Sequence, residues 1–246
     1  MSAKPNLRIF ATLEELAVAA AERFVTCAAA SQRDPGYFHV ALSGGTTPKR
    51  VYELLATNDF RSRIDWSRVQ LFFGDERAVP LDHPDSNYRM ANDALITKVP
   101  IPSENVHRIR GELDPNAAAA SYEVELRFVF SSEKWPRFDL IFLGLGEDGH
   151  TASLFPGAKA IQEDMHWAVA TKNPATGQER ITLTLPAINH AKQITFLVVG
   201  QNKAERLKDV LSESDTSEKF PAQAVKPVNG NLELLVDAEA ASLLRR

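Results

Sequence analysis

The sequence predicts an α/β protein built on a mostly parallel sheet with helices on both faces. Three observations carry this reading. Five short segments, 37–42, 69–73, 138–143, 193–199 and 232–236, are near-continuous apolar runs, the pattern of strands covered on both faces. Segments with helical apolar spacing lie between them, and strands alternating with helices imply parallel pairing. Three of the strand exits are glycine-rich and polar, and open parallel sheets hold their ligands at the carboxyl ends of their strands. The chain has 246 residues, 44% hydrophobic and 24% charged, an ordinary balance for one globular unit, so a single domain spanning 1–246 is expected.

The first helix is expected to start after Thr12. Thr12 and Glu15 have capping-box spacing, in which the hydroxyl takes an amide of the first turn and the carboxylate reaches back to the cap. Leu13, Leu16, Ala17, Ala20, Phe24 and Cys27 then share one helical face. Cys27 is the only cysteine, which excludes an internal disulfide. Its place on the apolar stripe, with no evident basic neighbour to favour the thiolate, makes it a core residue and not a nucleophile.

After strand 37–42, Val51, Leu54 and Leu55 mark a second helix, with Thr47 expected to cap it and Pro48 at its first position. Tyr88, Ala91, Ala94 and Leu95 mark another, with Asp85 as the expected cap. Further helices are expected at 117–130, 203–211 and 238–244. The segment 181–185 alternates Thr with apolar residues and is expected to be an edge strand or to line a site. The polar stretch 212–218 reads as a solvated loop.

The formal net charge is −4. A nucleic-acid partner wants a basic face and is not expected. An anionic substrate must be drawn by a local cluster of Arg, Lys and backbone N–H groups, because the whole-molecule field would repel it. No stretch approaches the ~20 apolar residues that span a bilayer, and the opening MSAKPNLRIF lacks the apolar run of a leader peptide. A cytoplasmic location without a membrane partner is the expectation.

The first exit is Ser43-Gly44-Gly45-Thr46-Thr47-Pro48. Its glycines permit close backbone approach, and a helix N-terminus there offers free N–H groups to an anion. It lacks the GK[ST] ending of a nucleotide-binding P-loop. The second is Gly74-Asp75-Glu76-Arg77. Arg77 presents a planar donor fork suited to phosphate, and Asp75 or Glu76 is placed to hold it or to touch substrate hydroxyls. Downstream, His83 lies among Asp82 and Asp85 without a recognised ligand spacing, so no metal is expected.

The third exit is Gly144-Leu145-Gly146-Glu147-Asp148-Gly149-His150. It matches G-x-G-x-x-G, but Pro156 and Gly157 cut short the helix that a dinucleotide fingerprint requires, and no acid ends the next strand at the right distance. A histidine embedded in glycines at a sheet's carboxyl edge instead suits proton transfer near neutral pH. Ser153 has no nucleophile elbow around it. The six histidines include no HExxH pair, so no zinc site is expected.

Taken together, LSGGTTP at 42–48, FFGDERAVPLDHPDSNYRM at 72–90 and LGLGEDGHTASLFPG at 143–157 resemble the glucosamine-6-phosphate isomerase/6-phosphogluconolactonase family. RITLTLPAIN at 180–189 and Gly200-Gln201-Asn202-Lys203-Ala204 agree, so the likeness covers nearly the whole chain. The resemblance implies a Rossmann-like sheet of the glucosamine-6-phosphate deaminase/isomerase type. It also implies hydrolysis of 6-phospho-D-glucono-1,5-lactone, the second step of the oxidative pentose phosphate pathway, with neither metal nor organic cofactor.

By position, His150 matches the family's general base and Asp148 the residue that orients it. Ser43, Gly44, Gly45 and Thr46 match a substrate-binding loop. Arg77, Arg180 and Lys203 match cationic substrate contacts, and Asp75 matches an acidic position beside them. The partner is a small-molecule substrate; a monomer is expected, with weak dimerisation as the alternative.

Two rival functions remain at this point. The deaminase branch of the same scaffold reads more like MDEY and DGHIAFNEP, where this chain has GDER at 74–77 and DGHTASLFP at 148–156. A non-catalytic sugar-phosphate sensor would keep the glycine loop and the arginines but would not need His150, and the α/β pattern begins too early in the chain to leave room for a DNA-binding segment before it.

Overall fold

The computed structural model describes residues 5–33, 36–131, 133–212, 214, 217 and 219–244. The strands in chain order are β1 (Asn6–Phe10), β2 (Phe38–Leu42), β3 (Val69–Phe73), β4 (Asp75–Arg77), β5 (Leu140–Gly144), β6 (Ala168–Lys172), β7 (Glu179–Leu183), β8 (Gln193–Val198) and β9 (Asn231–Asp237). Six of them pair in parallel in the order β1-β9-β8-β5-β2-β3. Consecutive residues of β2, β3, β5 and β8 are nearly all buried. Since neighbouring strand residues point to opposite faces, the middle of this sheet is covered on both sides.

All five expected strands of that sheet form, with ends shifted by no more than two residues. The edge strand β1 did not stand out, because its residues are mostly exposed and carry no buried apolar run. The segment expected at 181–185 is β7, and it is neither an edge nor part of the large sheet. It is the middle of a second, antiparallel sheet, β4-β7-β6. Its neighbours are short, β4 being three charged residues and β6 five residues of mixed character, so periodicity did not reveal them.

Helix α1 (Leu13–Ser31) begins as expected, with the Thr12 hydroxyl accepting the Glu15 N–H at 3.2 Å. The Glu15 carboxylate reaches back to the Ala11 N–H at 2.9 Å, one residue beyond the expected cap. Leu16, Ala17, Ala20 and Phe24 are fully buried. Cys27 packs at the edge of this core, and burial outweighs the nearby Arg23 charge, pushing its thiol up to about 11.

Helix α2 (Thr46–Leu55) starts earlier than expected. Its N-cap is Gly45, at φ 108°, with no side-chain cap. Thr47 and Pro48 therefore both lie inside the first turn, where an N–H has no intrahelical acceptor and proline is tolerated. A short helix α3 (Asn58–Arg61) follows. Helix α4 (Asn87–Ala94) is capped by Ser86, whose hydroxyl accepts the Arg89 N–H at 3.1 Å, and not by Asp85. Glu76 selects that start. Its carboxylate takes the N–H groups of Asn87 and Tyr88 at 2.7 and 2.8 Å and the Ser86 hydroxyl at 3.0 Å.

Helix α5 (Pro115–Val129) is capped by Asp114, and α6 (Leu185–Asn189) and α7 (Ala204–Val210) follow β7 and β8. The helix expected at 238–244 is a run of turns. The buried Asp237 carboxylate takes the Ala240 N–H at 2.8 Å as a cap would, but after one helical bond, from the Ala241 N–H to the Asp237 carbonyl, the amides of Ser242 and Leu244 turn to carbonyls three residues back. No helix among the described residues is long and apolar enough to cross a membrane.

Candidate active site

The exits of β2, β3, β5 and β8 open on one cavity of about 680 Å³. Ser43, Gly44, Gly45, Asp75, Arg77, Asp148, His150 and Lys203 all line it. Of the expected site residues, only Thr46 and Arg180 are not part of this lining. Thr46 opens α2, and Arg180 is the cross-strand partner of Arg77.

The loop after β5 is shaped around His150. The Gly146 N–H donates to the His150 carbonyl at 2.8 Å, the Gly149 N–H to the Gly146 carbonyl at 3.0 Å, and the Thr151 hydroxyl to the Gly144 carbonyl at 2.9 Å. A Cβ on residue 146 would stand 2.1 Å from His150 Nδ1, so glycine is what lets the imidazole fold over the loop. Phe155 packs on the ring, with centroids 4.8 Å apart. Ala152, two residues on, is the only non-glycine with positive φ among the described residues, at 48°, a local strain of the kind concentrated near functional sites.

Asp148 Oδ1 accepts the His150 N–H at 3.0 Å and lies 2.5 Å from its Nδ1. With Nδ1–H donating to the carboxylate, Nε2 is left as the unprotonated nitrogen, the tautomer a general base requires. Burial alone would raise the Asp148 carboxyl. The His150 N–H and imidazole outweigh it and hold that carboxyl below the usual carboxylate value.

The rest of the lining carries cationic side chains and polar atoms without protein partners among the described residues. Gly45, the N-cap of α2, lines the cavity, and the amides of a helix's first turn have no intrahelical acceptor. Ser43 is buried, and its Oγ has no hydrogen-bond partner among the described residues. Arg77 and Arg180 face each other across the β4–β7 ladder, and the Nε atoms of both are buried without partners among the described residues. Arg77 also donates to the Asp85 carbonyl at 2.5 Å. Burial first, and the Arg77 charge second, pull the Arg180 guanidinium below its usual value. Lys203 stands 3.9 Å from Glu147, on a turn fixed by the Asp237 carboxylate, which takes the Gly200 N–H at 3.1 Å.

Asp75 is a buried junction. It accepts the Ser153 hydroxyl at 2.6 Å, and Asn87 Nδ2 donates to its carbonyl at 3.0 Å and its carboxylate at 3.3 Å. Ser153 is thereby a donor that fixes Asp75. Gly44 gives Asn87 its room: a Cβ there would lie 1.9 Å from Asn87 Oδ1. Sequence reasoning passed over Asn87, Ser153, Asn173 and Thr176 as site residues. Asn87 sits inside the quoted block at 72–90, a signal that was present. Asn173 and Thr176 line the cavity from the β6–β7 connection, which carries no motif. Among the described residues no group of three or more His, Cys, Asp or Glu is arranged to hold a metal ion.

A family model described as glucosamine-6-phosphate isomerases/6-phosphogluconolactonase matches residues 11–234. The chain is 43% identical over 210 residues to a 6-phosphogluconolactonase of Synechocystis, covering 84% of each protein. It is 41% identical over 206 residues to one of Haemophilus influenzae, covering 84% of this chain and 87% of that protein. The solved structure of 6-phosphogluconolactonase from Leishmania guyanensis superposes with a TM-score of 0.88 at 31% identity, over 98% of this chain and 99% of that one.

Proposed function

The chain belongs to the glucosamine-6-phosphate isomerase/6-phosphogluconolactonase family, and on that premise we propose that it hydrolyses 6-phospho-D-glucono-1,5-lactone to 6-phosphogluconate with His150 as the general base. The observation that carries this reading is the His150–Asp148 contact of 2.5 Å in a cavity also lined by Arg77 and Lys203. A tethered imidazole and a cationic wall are the two things that hydrolysis of a phosphorylated lactone needs.

In the proposed reaction, water attacks the lactone carbonyl carbon as its proton passes to His150 Nε2. The carbonyl oxygen becomes an oxyanion, received by backbone N–H groups at the cavity wall other than those of Gly146, Gly149 and His150, which the loop's own bonds occupy. The ring C–O bond then breaks, and the imidazolium returns its proton to the departing ring oxygen. Asp148 keeps the imidazole in the required tautomer and balances its transient charge. The phosphate lies against the α2 N-terminus and the Ser43 hydroxyl, with Arg77, Arg180 and Lys203 as counter-charges. Holding it positions the ring and converts the attack into a local event.

The chain is proposed to act as one domain over 1–246, as a monomer in the cytoplasm, with weak dimerisation as the alternative. A lactonase assay with fresh 6-phosphogluconolactone, corrected for spontaneous hydrolysis, tests the reaction. Hydrolysis no faster than the blank would overturn it, and ammonia release from glucosamine 6-phosphate would favour the deaminase chemistry of the same family.

A further inference from the structure

Tyr52 is fully buried on α2 and spends both capacities of its hydroxyl on one residue. The phenol donates to the Ser43 carbonyl at 2.8 Å and accepts the Ser43 N–H at 3.0 Å. Ser43 is the first residue beyond β2, where the ladder has run out. The register of β2 with β5 ends at Ala41, and that with β3 at Leu42. The phenol takes the place of the missing strand. It also closes a ring. The chain leaves β2 at Ser43, turns through Gly44 and Gly45, runs along α2 and returns to Ser43 through Tyr52.

We propose that Tyr52 is a positioning residue for the anion site: by clamping the backbone of Ser43 to α2, it sets the Ser43 hydroxyl and the first-turn amides of α2 at the spacing a phosphate needs. The proposal rests on reading the cavity as a sugar-phosphate site. Tyr52 itself does not line that cavity. Its effect passes through Ser43, whose buried Oγ has no protein partner among the described residues.

Tyr122 supplies a matched comparison. It is also buried, and its hydroxyl makes the same double contact with Phe73 at 3.0 and 2.8 Å, at the end of β3. That exit has independent anchors. The Gly74 N–H donates to the Leu42 carbonyl, and the Leu183 N–H to the Gly74 carbonyl, both at 2.8 Å. Loss of the Tyr122 phenol therefore loosens the fold without releasing the exit.

The test is the Kd of inorganic phosphate by calorimetry, with Tm and lactonase kinetics, for wild type, Tyr52→Phe, Ser43→Ala, the double variant and Tyr122→Phe. Tyr52→Phe is expected to weaken phosphate on the order of tenfold and to raise KM while kcat stays within about twofold. In the Ser43→Ala background its effect should shrink well below additivity. Tyr122→Phe should lower Tm comparably and leave the phosphate Kd near the wild-type value. A Tyr52→Phe protein that binds phosphate like wild type overturns the proposal, as does an equal loss in Tyr122→Phe, which would mean general softening. Should Tyr52→Phe not fold, 3-fluorotyrosine in the wild-type chain gives a second reading, with resonances assigned by elimination using Tyr37→Phe, Tyr88→Phe and Tyr122→Phe. Phosphate must then move the Tyr52 fluorine signal more than that of Tyr122, and equal or absent movement overturns the clamp. A wild-type protein that binds phosphate but hydrolyses no lactone defeats the lactonase reading and leaves this one standing.

Discussion

Arg77 and Arg180 stand directly opposite each other across an antiparallel ladder, the closest register two strands offer to a pair of like charges. Neither Nε has a partner among the described residues. Arg180 is buried and Arg77 half-buried, and such a like-charge pair is unfavourable unless anions offset it, which Asp75, Glu76 and Asp85 do only in part, since Arg180 stays below its usual value. Arg180→Met is therefore expected to leave the Tm of the ligand-free protein unchanged or higher. In wild type, inorganic phosphate should raise Tm in line with about 2.7 kcal/mol of stabilisation at 100 times its Kd. In the variant most of that shift should vanish, and the preference for phosphorylated over plain gluconolactone should fall. An undiminished shift would remove Arg180 from the anion site.

His150→Ala is expected to lower kcat by about 10²–10⁴-fold with little change in KM, the range a general base contributes. Asp148→Asn keeps the shape but loses the charge that orients the imidazole, so kcat should fall by about tenfold or more. Steady-state kinetics at fixed pH, with the spontaneous rate subtracted, decides both. Wild-type turnover in His150→Ala would end the base assignment.

Gly146→Ala tests the loop rather than the base. The added methyl would lie 2.1 Å from His150 Nδ1 and 2.7 Å from Asp148 Oδ1, so the imidazole must swing away. Activity should fall nearly as far as in His150→Ala, while Tm changes by only a few degrees because the two side chains that must move, His150 and Asp148, are partly exposed. Retained activity would show that the ring tolerates another pose.

Asp139 offers a pH test away from the site. It is buried at the entry to β5, accepting the His39 N–H at 2.8 Å and the Lys192 ammonium at 2.7 Å. Burial alone would raise its carboxyl, but His39 and Lys192 together hold it below its ordinary value of 3.8. A folded-state value below the unfolded one means stability that is present above the unfolded pKa and is lost as pH falls through the folded pKa. Wild-type Tm should therefore drop more steeply on acidification below about pH 5 than that of Asp139→Asn. Equal slopes would show that the carboxylate contributes nothing through ionisation.

The large parallel sheet and the His150 loop were legible in the sequence because both are written locally. β2, β3, β5 and β8 are buried on two faces and read as apolar runs, and glycines at 144, 146 and 149 precede the histidine, with Gly146 making room for its ring. The α1 cap was legible for the same reason, since Thr12 and Glu15 are three residues apart. Of the β4-β7-β6 sheet only β7 was legible, because β4 is three charged residues and β6 is five residues with no buried apolar run. Ser86 displaced Asp85 as a cap because Glu76, ten residues away from Ser86, occupies the helix start. The opposition of Arg77 and Arg180, and the 2.6 Å bond from Ser153 to Asp75 across 78 residues, depend on strand register and chain crossing. By itself the sequence determined the fold class and the strand exits, and it singled out His150 for the base role proposed above. Only the tertiary structure decided which charges face one another and which polar atoms are left for a ligand, because those contacts join segments whose separation in the chain carries no periodic signal.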